Sequence, residues 1–310
     1  MRERAQISFL PDGRRLHMHD GPIDLIVEAF GAKSEIGAAY HAASRRFVDV
    51  LDELCGELSL LRQQAQKGRR LPSGGVARRM ALAVTPYAKR TFITPMAAVA
   101  GAVAEEILET MTSAAQLSKA YVNDGGDIAL HLALGEQFVI GMVERPERPS
   151  LFGTATLDST QPVRGIATSG WRGRSFSLGI ADAVTVLAEG AALADAAATI
   201  IANAVDLAGH SNIIRVPASG LDPDSDLGDR LVTQHVGALS DEEVSSALDA
   251  GRVVAESLAC EGLIHSAALH LRRETRIVYP AHERLSGVVQ EPHQVVIPRD
   301  ERGEGSAVFS

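Results

Sequence analysis

From Ala120 to Thr168 the chain is written as short apolar runs broken by glycine turns. That pattern favours strands joined by hairpins over strands joined by crossover helices. The runs are Ala120 to Asn123, Ile128 to Leu134, Gln137 to Val143, Phe152 to Leu157 and Val163 to Thr168, each about one strand long. They predict an antiparallel meander.

The flanking segments set the class. Ile7 to Leu10 and Arg15 to His19 read as a hairpin around Pro11-Asp12-Gly13, and Asp24 to Phe30 as a third strand. Helices are predicted from Ser34 to Gln66, with Phe47, Val50, Leu51, Leu54, Leu58 and Leu61 at helical spacing, and from Val76 to Lys89. Another begins at Thr94-Pro95, where threonine can cap free amides and proline suits the first helical position. Its small residues, among them Ala97, Ala100 and Gly101, allow either close helix packing or close approach of a ligand. Further on come a strand at Ala183 to Ala188, an alanine-rich helix, a strand at Asn212 to Val216 and an acidic turn at Leu221 to Gly228. A helix follows from Ser240 to Glu261, opened by a capping box, and then a last strand at Ala267 to Val278. Strands and helices without regular alternation give an α+β fold of antiparallel sheets packed with helices. Residues 1–281 form one domain, divisible into two lobes, and 282–310 a polar, partly disordered tail.

Composition excludes several functions. The 310 residues carry a net charge of -9, which argues against nucleic acid as a partner. No apolar run reaches the roughly 20 residues of a membrane span, and Met1 to Phe9 lacks the apolar core of a signal peptide. A cytoplasmic protein is expected. Cys55 and Cys260 make neither a disulfide framework nor a thiolate site, and read as small buried side chains. His17 and His19 share a strand face that could bind a metal, but no third ligand is evident in the sequence, and an exposed hairpin face accounts for them as well.

Three segments could carry chemistry. Asp195 and Thr199 lie one turn apart on the alanine-rich helix and share a face. A carboxylate beside a hydroxyl could hold Mg²⁺, which takes one or two carboxylates and leaves its other positions to water and phosphate. Equally, Asp195 could complement the dipole of its own first turn. Asn123, Asp124, Gly125, Gly126 and Asp127 make a tight turn whose glycines also let a backbone approach a ring or a phosphate. Thr168, Ser169 and Gly170 could cap free amides or present donors to an anion, with Arg172 and Arg174 just beyond. No Walker loop, dinucleotide fingerprint, zinc spacing or nucleophile elbow is present.

Taken in order, Asn123-Asp124-Gly125-Gly126-Asp127, Thr168-Ser169-Gly170, Val184-Thr185-Val186 and Ala194-Asp195-Ala196-Ala197-Ala198-Thr199 resemble the ApbE-like flavin transferases over about Ile93 to Val205. The resemblance implies FAD or FMN with Mg²⁺ as cofactors, and FMN transfer from FAD to a threonine of an acceptor protein. Asn123, Gly125, Gly126, Asp127, Thr168, Ser169, Gly170 and Arg174 would bind the flavin nucleotide or another small anionic ligand, and Asp195 and Thr199 the metal. It leaves room for a homo-oligomer. Two departures stand out. The family's Ala-Lys-Gly is Val99-Ala100-Gly101 here, without the cation. The family's histidine-bearing hairpin is replaced by a short link from Trp171 to Asp182, in which Asp182 is the one carboxylate available as a base. A different enzyme acting on a small anionic metabolite, or a non-catalytic flavin-binding accessory protein, therefore stays open beside the transferase.

Overall fold

The computed structural model describes residues 5–143 and 151–279, so the expected C-terminal tail from His282 lies outside the described residues. Among them, nine strands form one sheet in which every neighbouring pair is antiparallel. Its strands, in spatial order, are β1 (Gln6–Phe9), β2 (Leu16–Asp20), β3 (Ile23–Phe30), β4 (Lys119–Asp124), β5 (Asp127–Leu132), β8 (Gly165–Ser169), β9 (Ala183–Ala188), β12 (Ser266–Leu271) and β13 (Glu274–Val278). Two excursions leave this order as separate ribbons, β6 (Gln137–Val143) with β7 (Leu151–Asp158), and β10 (Ile213–Pro217) with β11 (Leu231–Val236). The α+β class expected from the sequence is the class observed.

Strand alternation divides the sheet into two faces. Leu25, Val27 and Ala29 of β3, Val122 of β4, Ala129 of β5, Ala167 of β8 and Val184 and Val186 of β9 belong to the larger core. The helices pack on that side: α1 (Lys33–Leu61), α2 (Gly75–Val84), α3 (Val99–Ala114), α4 (Ala191–Ala204) and α6 (Asp241–Cys260), with α5 (Ala218–Leu221) a single turn beside β10. The opposite face carries Tyr121, Ile128, Leu130, Leu132 and Ile166 against Phe138, Ile140 and Leu157 of the β6–β7 ribbon.

α1 buries Ala39, Tyr40, Ala43, Phe47, Val50, Leu54 and Leu61, one stripe at helical spacing. α4 is buried nearly all round, at Ala191, Ala192, Ala194, Ala196, Ala197, Ala198, Ile201 and Ala202. It is wedged between the sheet, α3 and α6, where its run of alanines allows close packing. At its start the approach is closer still. A β-carbon on Gly101 of α3 would collide with the Ala191 backbone, and one on Gly165 of β8 with that of Gly190. The join between β5 and β8 is short, with Ile128 opposite Ile166 and Ala129 opposite Gly165.

Several boundaries differ from expectation, each for a local reason. The predicted helix from Val76 to Lys89 stops at Val84, and a 3₁₀ turn at Thr85–Tyr87 follows, because Pro86 has no amide to continue the ladder. The helix opened by Thr94 starts as a 3₁₀ turn (Pro95–Ala98), and Ala98, at φ -135°, breaks it from α3. The last strand is a hairpin, turned by Arg272 at φ +59°. β11 has no counterpart in the sequence reading. Cys55 and Cys260 are exposed, not buried. The buried positions are their neighbours Leu54 and Ala259, so each cysteine falls just off the apolar stripe. No helix among the described residues is long and apolar enough to cross a membrane.

Candidate functional site

At one end of the sheet the β4–β5 turn, the end of β8 and the first turns of α3 and α4 come together. Gly125 (φ +62°) and Gly126 (φ +111°) form a two-residue hairpin loop between the paired Asp124 and Asp127. Positive φ at both positions is what such a loop requires of glycine. Asn123 spends its side chain on this turn, where its Oδ1 accepts from the Gly126 amide at 2.8 Å. The Arg174 guanidinium lies where a β-carbon on Gly125 would stand, 3.9 Å from Asp124 Oδ1.

Asp127 completes the sheet beyond the last β5–β8 pair. Its Oδ1 accepts from the Thr168 amide at 3.2 Å. Thr168 is otherwise exposed, its hydroxyl 3.0 Å from that of Thr185 across the strands. Ser169 is half-buried, and Gly170 packs so closely on the Asp182 backbone that no side chain would fit.

Asp195 stands in the second turn of α4, not the first, so it cannot complement the start of its own helix. Its Oδ2 accepts instead from the Gly101 amide at 3.1 Å, and the Ala100 amide also reaches it. It therefore caps α3, whose own N-cap, Ala98, supplies no side-chain acceptor. Thr199 follows one turn on, half-buried and on the same side of the helix.

The electrostatics of this corner are unusual. Burial pushes the Asp124 carboxyl up to about 7, against the pull of the Asp24 amide and Arg174. Burial also raises Asp195, and the charge of Asp124 adds to the rise. Asp127 is raised by burial and by the charges of both Asp195 and Asp124. Three carboxylates thus share one field, and the cation that lowers Asp124 and Asp127 is Arg174, itself largely exposed. Asp127 and Asp195 each keep some solvent access.

Such an arrangement suits a hard divalent cation, since hard oxygen donors are at hand and the negative charge is under-compensated. No three His, Cys, Asp or Glu side chains among the described residues already surround one point, but Mg²⁺ needs only one or two protein carboxylates. Asp195 with Thr199, and Asp127 beside them, are the residues present that could hold it.

Two sequence candidates have other employment. Asp182 is buried, and both its oxygens are taken. Oδ1 accepts from Trp171 Nε1 at 3.1 Å and Arg172 Nε at 2.9 Å, and Oδ2 from the Arg272 amide at 2.7 Å. These contacts make it the fastener of the 170–182 link and argue against a base. Arg172 is bound to Asp182, and its guanidinium sits 4.4 Å above the Trp171 ring, which leaves Arg174 as the link's freer cation. His17 finds its partner on the neighbouring strand β3, with Nε2 2.5 Å from Asp24 Oδ1.

Beside the acid corner runs a groove of about 800 Å³ between α2, α3, β5 and the start of α4. Leu82, Leu108 and Leu193 form its apolar walls, with Arg78 and Glu105 among its charged groups. Its inner end at Ala129 lies two residues from Asp127 on the same face of β5. No sequence motif marks these residues, because they come from four separate elements.

A family model described as AbpE bacteria matches residues 7–277. A UPF0280 protein of Methanopyrus kandleri is 40% identical over 129 residues, which is 41% of this chain and 48% of that protein. The match thus spans about half the length of this curated relative. The flavin transferase ApbE of Vibrio cholerae aligns over 91% of this chain and 99% of its own, with 11% identity and a TM-score of 0.46. The ApbE protein of Thermotoga maritima aligns over 91% and 98%, with 15% identity and a TM-score of 0.43.

Proposed function

Because the chain belongs to the AbpE bacteria family, and so to the ApbE-like superfamily, we propose that it binds a flavin or nucleotide-like anion together with Mg²⁺ at the corner formed by the Gly125 turn, Thr168 to Arg174 and Asp195. The observation that carries this reading is the under-compensated set of Asp124, Asp127 and Asp195 beneath the exposed Arg174 guanidinium. A bare anion would be repelled there, whereas an anion bridged by a cation would be held. Mg²⁺ at Asp195 would neutralise charge on a pyrophosphate as its anhydride bond breaks.

The chain's own groups have divided tasks in this proposal. Asp195, already oriented by the Gly101 and Ala100 amides, would offer its carboxylate to the cation, and Thr199 a hydroxyl one turn away. Arg174 is long and exposed enough to meet a phosphate over the glycine turn. The adjacent groove is within the volume range of small-molecule sites.

A second reading has its own support. FMN transfer needs a group that takes the acceptor hydroxyl's proton, and such help contributes typically ~10²–10⁴-fold. The 171–182 link contains no histidine, and Asp182 has both oxygens engaged. Binding without efficient transfer, as in a flavin-binding accessory protein or an enzyme of a small anionic metabolite, fits these residues better than a conventional transferase does.

A thermal-shift screen with FAD, FMN, AMP and Mg²⁺ tests the binding proposal, which predicts a Mg²⁺-dependent rise with at least one nucleotide. No rise with any pair refutes it. Incubation with FAD, Mg²⁺ and an acceptor protein, read as in-gel flavin fluorescence, separates the two readings. Weak or absent labelling is expected.

A further inference from the structure

From a reciprocal contact between two helices we infer that Glu105 is a positioning residue for the acid corner, fixing the start of α4 and so the place of Asp195. The inference rests on Asp195 being the metal-holding carboxylate proposed above.

Neither helix caps itself. The N-caps of α3 and α4 are Ala98 and Gly190, and neither supplies a side-chain acceptor. The first amides of a helix need partners from elsewhere. Asp195 of α4 serves the Ala100 and Gly101 amides of α3. Glu105 of α3 returns the favour, with its Oε1 accepting from the Ala192 amide at 2.9 Å and the Ala191 amide also reaching it. The two carboxylates flank the point where Gly101 meets the Ala191 backbone. Each helix thus carries the acceptor that the other lacks.

The glycines fit this arrangement. Glu105 Oε1 occupies the space that a side chain on Gly190 would fill. Arg79 holds the carboxylate from the other side, with Nε 2.8 Å from Oε2. Glu105 lines the groove, and its hydrogen bond and ion pair go to the Ala192 amide and Arg79, not to Asp127, Thr168, Arg174 or Asp195. Its influence on the corner passes through α4. Asp195 lies one turn beyond the amides that Glu105 holds, and a shift of that buried turn moves Asp195 relative to Gly101 and Asp127. The rest of α4 stays seated by its buried alanines.

The test measures Mn²⁺ affinity by electron paramagnetic resonance, together with the melting temperature, on the full chain. Glu105→Ala should bind Mn²⁺ about two- to thirtyfold more weakly than wild type, the range that loss of a helix cap spans. Gly190→Ala, which displaces the carboxylate without removing it, should weaken binding in the same direction. Glu105→Gln keeps an oxygen for the Ala192 amide and should bind within about twofold of wild type. A merely structural role would lower the melting temperature and leave affinity untouched. Unchanged affinity in folded Glu105→Ala and Gly190→Ala overturns the inference while the metal reading stands. Equal weakening in Glu105→Gln and Glu105→Ala also overturns it, since charge and not capping would then be the cause. Absence of Mn²⁺ binding in wild type overturns the metal reading and the inference with it. If Glu105→Ala fails to fold, Gly190→Ala against Glu105→Gln decides.

Discussion

Replacing Asp124 by asparagine should make the protein more stable at alkaline pH, with a gain that shrinks as the solution is acidified. The Asp124 carboxyl titrates at about 7 in the folded protein, against 3.8 for an ordinary aspartate. Between those values the native state holds a proton that the unfolded chain has released. Unfolding free energy therefore falls as pH rises through this window and levels off above it. At ~1.4 kcal/mol per pH unit, the ionised group removes up to about 4 kcal/mol by pH 8. Its side chain is only 6% exposed, so solvent screening takes little from that figure, but relaxation around the site will. Asparagine copies the protonated carboxyl in shape and keeps an oxygen for the Asp24 amide, 3.5 Å away. What it loses, a 3.9 Å approach to an exposed arginine, is worth little. A net gain of about 2 kcal/mol corresponds to a melting temperature roughly 4 °C higher at pH 8. Calorimetry of both proteins at pH 5, 6.5 and 8 with EDTA present measures it. A variant less stable than wild type at pH 8, or a difference that does not change with pH, would falsify the reasoning.

Other outcomes follow from the same corner. Asp195→Asn should weaken Mg²⁺ or Mn²⁺ binding at least tenfold while the circular dichroism spectrum is kept, because the amide oxygen can still accept from Gly101; equal affinity by calorimetric titration returns Asp195 to a capping role alone. Metal binding should strengthen from pH 6 to pH 8, since the cation displaces protons from carboxyls whose values are raised; a flat profile counts against the cluster as its site. Gly125→Ala should cost about 1–2 kcal/mol and expel Arg174, because it combines positive φ with a collision; a neutral effect in denaturant titration would show that the turn relaxes freely. Trp171 is the sole tryptophan and donates to Asp182, so Asp182→Ala should shift its fluorescence emission to the red; an unchanged spectrum would mean that the link does not depend on this contact.

The fold was legible where the signals are local. The glycine turns gave the meander, Phe47, Val50 and Leu54 gave α1, and Ser240 with Glu243 marked the start of α6 through a capping box that is present. What escaped depends on partners distant in sequence. Nothing local shows that β6 and β7 leave the sheet to cover Tyr121, or that Arg272 turns the last strand back. At the candidate site, the Asn123 turn follows from the motif that singled it out, whereas the hydrogen bond from the Thr168 amide to Asp127 joins two motifs that are read separately. The capping of α3 by Asp195, the capping of α4 by Glu105 and the hold of Asp182 on the Arg272 amide follow from no motif, because each acceptor lies dozens of residues from its donor. Spacing on one helix can propose Asp195 and Thr199 as a pair, but it cannot reveal that the carboxylate already accepts from the amides of another helix.

The short join between β5 and β8 has a mechanical side. Six residue pairs tie β4 to β5 and five tie β8 to β9, but two tie β5 to β8. The acid corner straddles this seam, with Asp124 and Asp127 on one bank and Thr168 and Asp195 on the other. Without a cation, mutual repulsion acts where the sheet is most thinly stitched, and amide protons along Ile128 and Ile166 should exchange sooner than those of the flanking strands. A divalent ion there would act as a clasp across the two banks, so that occupancy of the corner is felt as stiffness through the whole sheet.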